Sequence, residues 1–267
     1  MVTTNECVES LPVYYFGLFA IGRRVQLMLN ERPAVLVLGH RGMLGHMVQG
    51  YLQKSESFNV AVLAGRFSDW SSSDFDSFDY VVNCVGAIPQ KTAQFEINYE
   101  LPEWLEANTD CRIIHPSTDC EIDDDPYGIS KRRANRFILE SAANSKIIKT
   151  SIIGPELSGD KASLLEWFLR QSGEVSGYTE AIWNGVTTLE WARFCTQILA
   201  DWESFPVQTI IGTQPVTKYE LLQTIASVYE KTDVVIKRVA KGKDKSLIAD
   251  LYLDNIDVQL QRLREWT

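Results

Sequence analysis

What the chain lacks narrows it first. No apolar run approaches the twenty or so residues that cross a bilayer, so no membrane span is expected. Five cysteines (Cys7, Cys84, Cys111, Cys120, Cys195) are odd in number and widely spaced, with no CxxC, and the three histidines (His40, His46, His115) form no cluster with them. Neither a disulfide framework nor a zinc site is supported by that pattern. Free thiols in a reducing, cytoplasmic compartment with no bound metal are expected instead. Positive charge is in deficit: 26 Lys and Arg against 35 Asp and Glu give a net charge of −9. That argues against nucleic acid as a partner and leaves a small anionic ligand open, because a binding site needs only local positive groups. Internal repeats and low-complexity segments are missing too.

What is present is an ordinary globular composition, 45% hydrophobic and 23% charged over 267 residues, enough for one large domain or two lobes. Residues 1–33 stand apart as an N-terminal extension of unknown role. Their stretch LPVYYFGLFAI (11–21) is short and aromatic, and it follows Glu6 and Glu9 rather than a basic segment, so it makes a poor signal peptide. It reads as an extra helix or extension packed on the main domain, with a membrane-surface segment as the alternative.

From residue 34 strands and helices alternate. Ala34–Leu38 is five apolar residues without alternation, which suits a parallel strand covered on both faces. Glycines follow at 39, 42 and 45, suiting a tight turn into a helix from Met43 to about Lys54. Further strands are expected at 59–64, 79–86, 112–115 and 147–150, with helices at 100–107 and 127–143. This alternation predicts a doubly wound, Rossmann-type parallel α/β sheet. Beyond Thr150 the pattern loosens: helices are expected at 162–170, 188–200 and 218–229, strands at 208–211 and 234–237. The expected division is 34–153 plus 185–204 as the dinucleotide-binding domain, and 154–184 plus 205–267 as a smaller, discontinuous substrate lobe.

The glycine turn (Gly39, Arg41, Gly42, Met43, Leu44, Gly45) presents backbone N–H groups and a helix N-terminus to a pyrophosphate. The second strand ends in Gly65-Arg66, where NAD-preferring sites carry an acidic residue for the ribose 2′-hydroxyl. Arg41 and Arg66 instead suit a 2′-phosphate, hence NADP(H) over NAD(H); a pair of solvated surface arginines is the alternative. Ser117-Thr118-Asp119 follows a strand at the expected carboxyl edge of the sheet. Nine residues on stands Tyr127, and Lys131 follows four later on the same helical face. Asp125-Pro126 looks like the start of that helix, with Asp123 and Asp124 adding favourable charge at its dipole. An ammonium beside a phenol favours the phenolate and should draw the tyrosine pKa down from about 10.

The ordered set GHRGMLG (39–45), NCVG (83–86), NYELP (98–102), STD (117–119), YGISK (127–131), TSIIGPE (150–156) and WNGVTTLEWA (183–192) resembles the extended short-chain dehydrogenase/reductases, and within them the dTDP-4-dehydrorhamnose reductase group. The resemblance covers roughly residues 34–254. It implies NADPH-dependent reduction of a keto group on a nucleotide-activated deoxysugar. Thr118, Tyr127 and Lys131 would be the catalytic set, and Cys84, Val85 and Gly86 would join the glycine turn, Tyr127 and Lys131 in holding the cofactor. It implies a nucleotide-sugar substrate and leaves a homodimer open. One departure is the short segment Asp119–Pro126, where the group carries a longer loop that helps shape the substrate pocket; nine residue steps still span up to about 30 Å. Two alternatives stand beside the reductase: a non-catalytic NADP-binding regulatory subunit of another enzyme, and a nucleotide-sugar epimerase.

Overall fold

The computed structural model describes residues 32–141, 144–157 and 161–267. The readings made for residues 1–31 lie outside the described residues. Strand β1 (Ala34–Leu38) leads through the glycine turn into helix α1 (Gly45–Ser55). The alternation continues with β2 (Asn59–Val62), β3 (Tyr80–Asn83), α2 (Ile97–Asn108), β4 (Arg112–Ser117), α3 (Pro126–Ser141) and β5 (Ser145–Lys149). Short strands β6 (Ile152–Ile153), β8 (Ile182–Trp183) and β9 (Val186–Thr187) accompany α4 (Leu164–Leu169), β7 (Gly173–Tyr178) and α5 (Thr188–Ala200). The chain continues with β10 (Gln208–Gly212), β11 (Val216–Thr217), α6 (Lys218–Val228), β12 (Val234–Val239), β13 (Leu251–Tyr252) and α7 (Ile256–Trp266).

Seven strands form one parallel sheet in the order β13-β10-β5-β4-β3-β1-β2. This is the expected doubly wound fold, and the burial of β1 explains it. Val35 and Val37 point into one core with Met47, Val48 and Leu52 of α1 and Trp191, Phe194 and Ile198 of α5. Leu36 and Leu38 point the other way, into a core with Phe75 and with Leu101 and Leu105 of α2. A strand with period-two geometry and apolar residues on both faces needs a helical layer on each side. Each fully buried leucine or valine contributes roughly 1.5–3 kcal/mol. The chain passes from β1 to β2 on one side and returns to β3 on the other, so β1 and β3 flank a switch point, where such folds take their ligands.

Boundaries shift for identifiable reasons. Helix α1 starts at Gly45 rather than Met43, because Gly42 N–H closes a tight turn onto Gly39 O at 2.9 Å first. Strand β4 runs through Pro116 to Ser117, two residues past the expected end; Ser117 is held by pairing with Lys149 of β5. Helix α5 begins where expected, with the Thr187 hydroxyl accepting the Glu190 N–H at 3.2 Å. The segment 205–267, expected to belong to the second lobe, instead sends β10 and β13 into the central sheet beside β5. The remaining late strands pair outside that sheet: β7 with β12, β8 with β11 and β6 with β9.

Candidate active site

The carboxyl ends of β1, β2, β3 and β4 fall on one edge of the sheet, so the expected site residues share that edge. Gly39 has φ +71, a left-handed conformation that favours glycine, and a Cβ there would strike the Cys84 backbone at 2.8 Å. The turn after β1 therefore packs directly on the turn after β3, bringing Gly39 and the Cys84–Gly86 segment together. Gly45 lies against Gly39 so closely that any side chain would collide with its carbonyl. Among the described residues no acceptor takes the backbone N–H of Met43 or Leu44, immediately before α1. A turn with free backbone N–H groups at a helix N-terminus fits a pyrophosphate; the His46 ring sits on its Gly42 carbonyl at 2.8 Å. Arg41 and Arg66 are both exposed, after β1 and β2 respectively. Asp69, the nearest following carboxylate, is engaged by Arg66 N–H at 3.3 Å and the Ser68 hydroxyl at 3.0 Å. The Cys84 thiol is pushed far up by burial and stays a thiol.

Asn98, within the NYELP motif, ties the turn after β3 to helix α3. Its carbonyl accepts Ala87 N–H at 2.8 Å, and its amide donates to Ala87 O at 3.1 Å and to the Ser130 hydroxyl at 3.0 Å. Ser130 in turn donates to Tyr127 O at 2.7 Å. Asp125 caps α3 as expected, accepting the Gly128 N–H at 2.7 Å.

Thr118 and Tyr127 come together, and Lys131 stands one turn further along α3. The Thr118 hydroxyl faces the Tyr127 phenol, donates to Asp119 Oδ1 at 2.9 Å and accepts Cys120 N–H at 3.2 Å. Tyr127 packs edge-on against Phe95, ring centroids 5.7 Å apart. The expected fall in its pKa is corrected by the structure. Burial pushes the phenol well above its ordinary value, with Cys120, Asp119 and Asp125 acting in the same direction and Thr118 opposing. The Lys131 ammonium donates instead to Pro116 O at 3.0 Å, and burial brings its own pKa down to about 8, opposed by Glu121. Tyr127 is thus a firmly protonated acid.

The short segment after Thr118 is braced rather than loose. Lys243 and Lys245 both pair with Asp123, holding its carboxyl below the usual range, and Lys245 also reaches the Cys120 sulfur at 3.6 Å. Asp123 and Asp124, expected to serve the α3 dipole, are engaged by these lysines and by Arg132 at 3.0 Å. Lys218, at the start of α6, lies over the Trp183 ring at 4.9 Å and feels the charge of Asp119. Burial lowers its pKa to about 8; its backbone N–H donates to Ala181 O at 2.8 Å, while its ammonium makes no hydrogen bond among the described residues. These lysines stand more than ninety residues from Thr118 in the chain, and no local pattern marks them.

A parallel seven-stranded sheet with helices on both faces and a glycine turn at its switch point defines a Rossmann-type α/β protein. The particular likeness is to sugar-nucleotide enzymes. The chain is similar in fold to a dTDP-4-dehydrorhamnose reductase from Bacillus anthracis str. Ames in complex with NADP, with a TM-score of 0.70 and 14% identity over 88% of this chain and 99% of that one. It is also similar to a dTDP-glucose 4,6-dehydratase from the same organism in complex with NAD, with a TM-score of 0.65 and 15% identity over 88% and 96% of the chains. A UDP-N-acetylglucosamine 4-epimerase from Bacillus cereus has a TM-score of 0.65 and 17% identity over 88% and 96%. No family profile and no curated protein matches the sequence.

Proposed function

We propose that the protein is an NADPH-dependent reductase of a keto group on a nucleotide-activated deoxysugar. The observation that carries this reading is the Thr118 hydroxyl facing the Tyr127 phenol, with Lys131 one turn on along the same helix, at the sheet edge that also carries the glycine turn. The solved structure bound to NADP is a reductase of this class, which supports the cofactor assignment. The N–H groups of Met43 and Leu44 receive the pyrophosphate, and Arg41 and Arg66 favour a ribose 2′-phosphate over the bare hydroxyl. Bound at this edge, the nicotinamide supplies the hydride that the carbonyl carbon receives.

The chain supplies the proton. Burial keeps Tyr127 protonated, so it acts as the acid: its O–H donates to the carbonyl oxygen as that carbon is reduced, leaving an alcohol and a phenolate. Lys131, anchored to Pro116 O, holds the nicotinamide ribose and steadies the phenolate. The Thr118 hydroxyl exchanges Asp119 for the substrate oxygen and fixes its orientation. Lys218, whose ammonium feels the charge of Asp119, and Lys245 supply cationic partners for the substrate diphosphate.

The test is NADPH oxidation by the purified protein against 4-keto-6-deoxy sugars linked to dTDP, UDP and GDP. Turnover of at least one is expected. Tight NADPH binding with no turnover of any would overturn the reductase and favour a regulatory subunit.

A further inference from the structure

Glu121 is a buried carboxylate that this reaction does not use. Its Oε1 accepts the Ser117 hydroxyl, and its Oε2 accepts the Asn135 amide at 3.0 Å and the Lys149 ammonium at 2.6 Å. Arg132 donates to its backbone carbonyl at 2.7 Å. The Glu121 side chain is 7% exposed and that of Lys149 16%. A buried ion pair seldom adds net stability over apolar side chains of similar shape, so stability alone is a weak reason for this one.

Its position supplies a better reason. Ser117 ends β4 immediately before Thr118, and Asn135 follows Lys131 by four residues on α3. Ser117, Asn135, His115 and Lys131 line one narrow cavity. The Lys131 ammonium has only the uncharged Pro116 carbonyl as a hydrogen-bond partner among the described residues.

We infer that the Glu121–Lys149 pair, tied through Ser117 and Asn135 to the wall of the cavity that Lys131 lines, is a positioning unit that sets the charge around the site lysine while the tyrosine donates its proton. This rests on the proposed role of Lys131, but its test needs no turnover. The other groups around the lysine do not supply the charge. His115 of β4 is neutral, brought down to about 3 by burial and by Lys131 itself. Tyr127 on α3 is a neutral phenol. Asn83 of β3 and Asn98 of α2 are uncharged, and Glu103 of α2 is engaged by Arg133 at 2.9 Å. Glu121 is the carboxylate that acts on Lys131 against burial.

The pair makes opposite predictions for its two halves. Glu121→Gln leaves Lys149 unopposed and should lower the Lys131 titration midpoint. Lys149→Met leaves Glu121 unopposed and should raise it. Each shift should be on the order of one pH unit. Lys149→Arg retains the charge and should leave the midpoint in place. The measurement is a pH titration of the full chain carrying ¹³C,¹⁵N-lysine, followed by NMR, with the Lys131 signal assigned by its loss in Lys131→Arg. A merely structural pair would move both midpoints together or neither, and either result overturns the inference. Should one single variant fail to fold, the other still carries a signed prediction, and an unmoved or reversed midpoint there overturns it. Failure to reduce any sugar nucleotide would instead strike the proposed function and leave this titration to decide its own question.

Discussion

The two ends of the ligand edge are built on different principles. Around Gly39–Gly45 the surface is bare backbone, close glycine contacts and two exposed arginines. Around Thr118–Tyr127 it is crowded with charge: Asp119, Glu121 and Asp123 on one short segment, answered by Lys149, Lys218, Lys243 and Lys245 from distant parts of the chain. The first arrangement suits an anion, offering it groups whose charge does not change with pH. The second tunes the protonation of the groups it surrounds. A dinucleotide cradle and an acid–base centre have these separate requirements, and the chain meets each with different residue types.

The largest effect should come from the charged end. Tyr127→Phe keeps the ring and its packing on Phe95 but removes the acid. Turnover of a 4-keto nucleotide sugar should fall roughly 10²–10⁴-fold with little change in NADPH affinity, measured by steady-state kinetics and calorimetry. Equal activity in the variant would place the proton elsewhere. At the glycine end, Arg41→Ala and Arg66→Ala should each cost roughly 1.5–3 kcal/mol of NADPH binding while leaving NADH affinity nearly unchanged. Unaltered discrimination in both variants would return these residues to an ordinary solvated surface.

Stability sharpens the contrast within one helix. Gly45→Ala forces a methyl into the Gly39 carbonyl and should destabilise by roughly 1–3 kcal/mol in urea unfolding. Gly50→Ala, five residues on in α1, meets no atom within 4 Å and should stabilise by roughly 0.5–1 kcal/mol. Two glycine substitutions in one element should thus differ in sign.

The smallest effect is in the pH dependence. The folded-state pKa of Lys131 is about 8, below the ordinary lysine value of 10.5. Between those values the unfolded chain binds more protons, so this residue's contribution makes stability rise with pH across the window. The ammonium needed at the site is lost over the same interval, so activity should fall as pH passes about 8. Comparing urea unfolding of the wild type and Lys131→Met between pH 7.5 and 10.5 should show the slope reduced by less than one proton. An unchanged slope would mean Lys131 titrates as it does in water.

The same contrast explains what the sequence made legible. The glycine cradle and the buried strand before it are local patterns, since one apolar run and three glycines dictate strand, turn and helix together. The Tyr127–Lys131 spacing is local as well, and Asp125 caps the helix that carries it. The tyrosine's environment is not local. Its pKa rises because the packed protein around it withdraws it from water and the charges of Cys120 and Asp119 add to that, while Lys131 turns to Pro116, and neither fact is encoded in an i, i+4 spacing. The lysines that brace the short segment come from 218–245, where short strands give weak periodicity. Strands β10 and β13 escaped assignment to the central sheet for a related reason: two to five residues carry no sign of which sheet they join.

Net reduction of a sugar nucleotide is tested by NADPH deuterated on the transferred face of the nicotinamide. With a 4-keto-6-deoxy nucleotide sugar, stoichiometric NADPH loss and one deuterium retained on the new carbinol carbon are expected, read by mass spectrometry. A substrate converted to an isomer or dehydrated product with no net consumption of NADPH would contradict it and point to an epimerase or dehydratase.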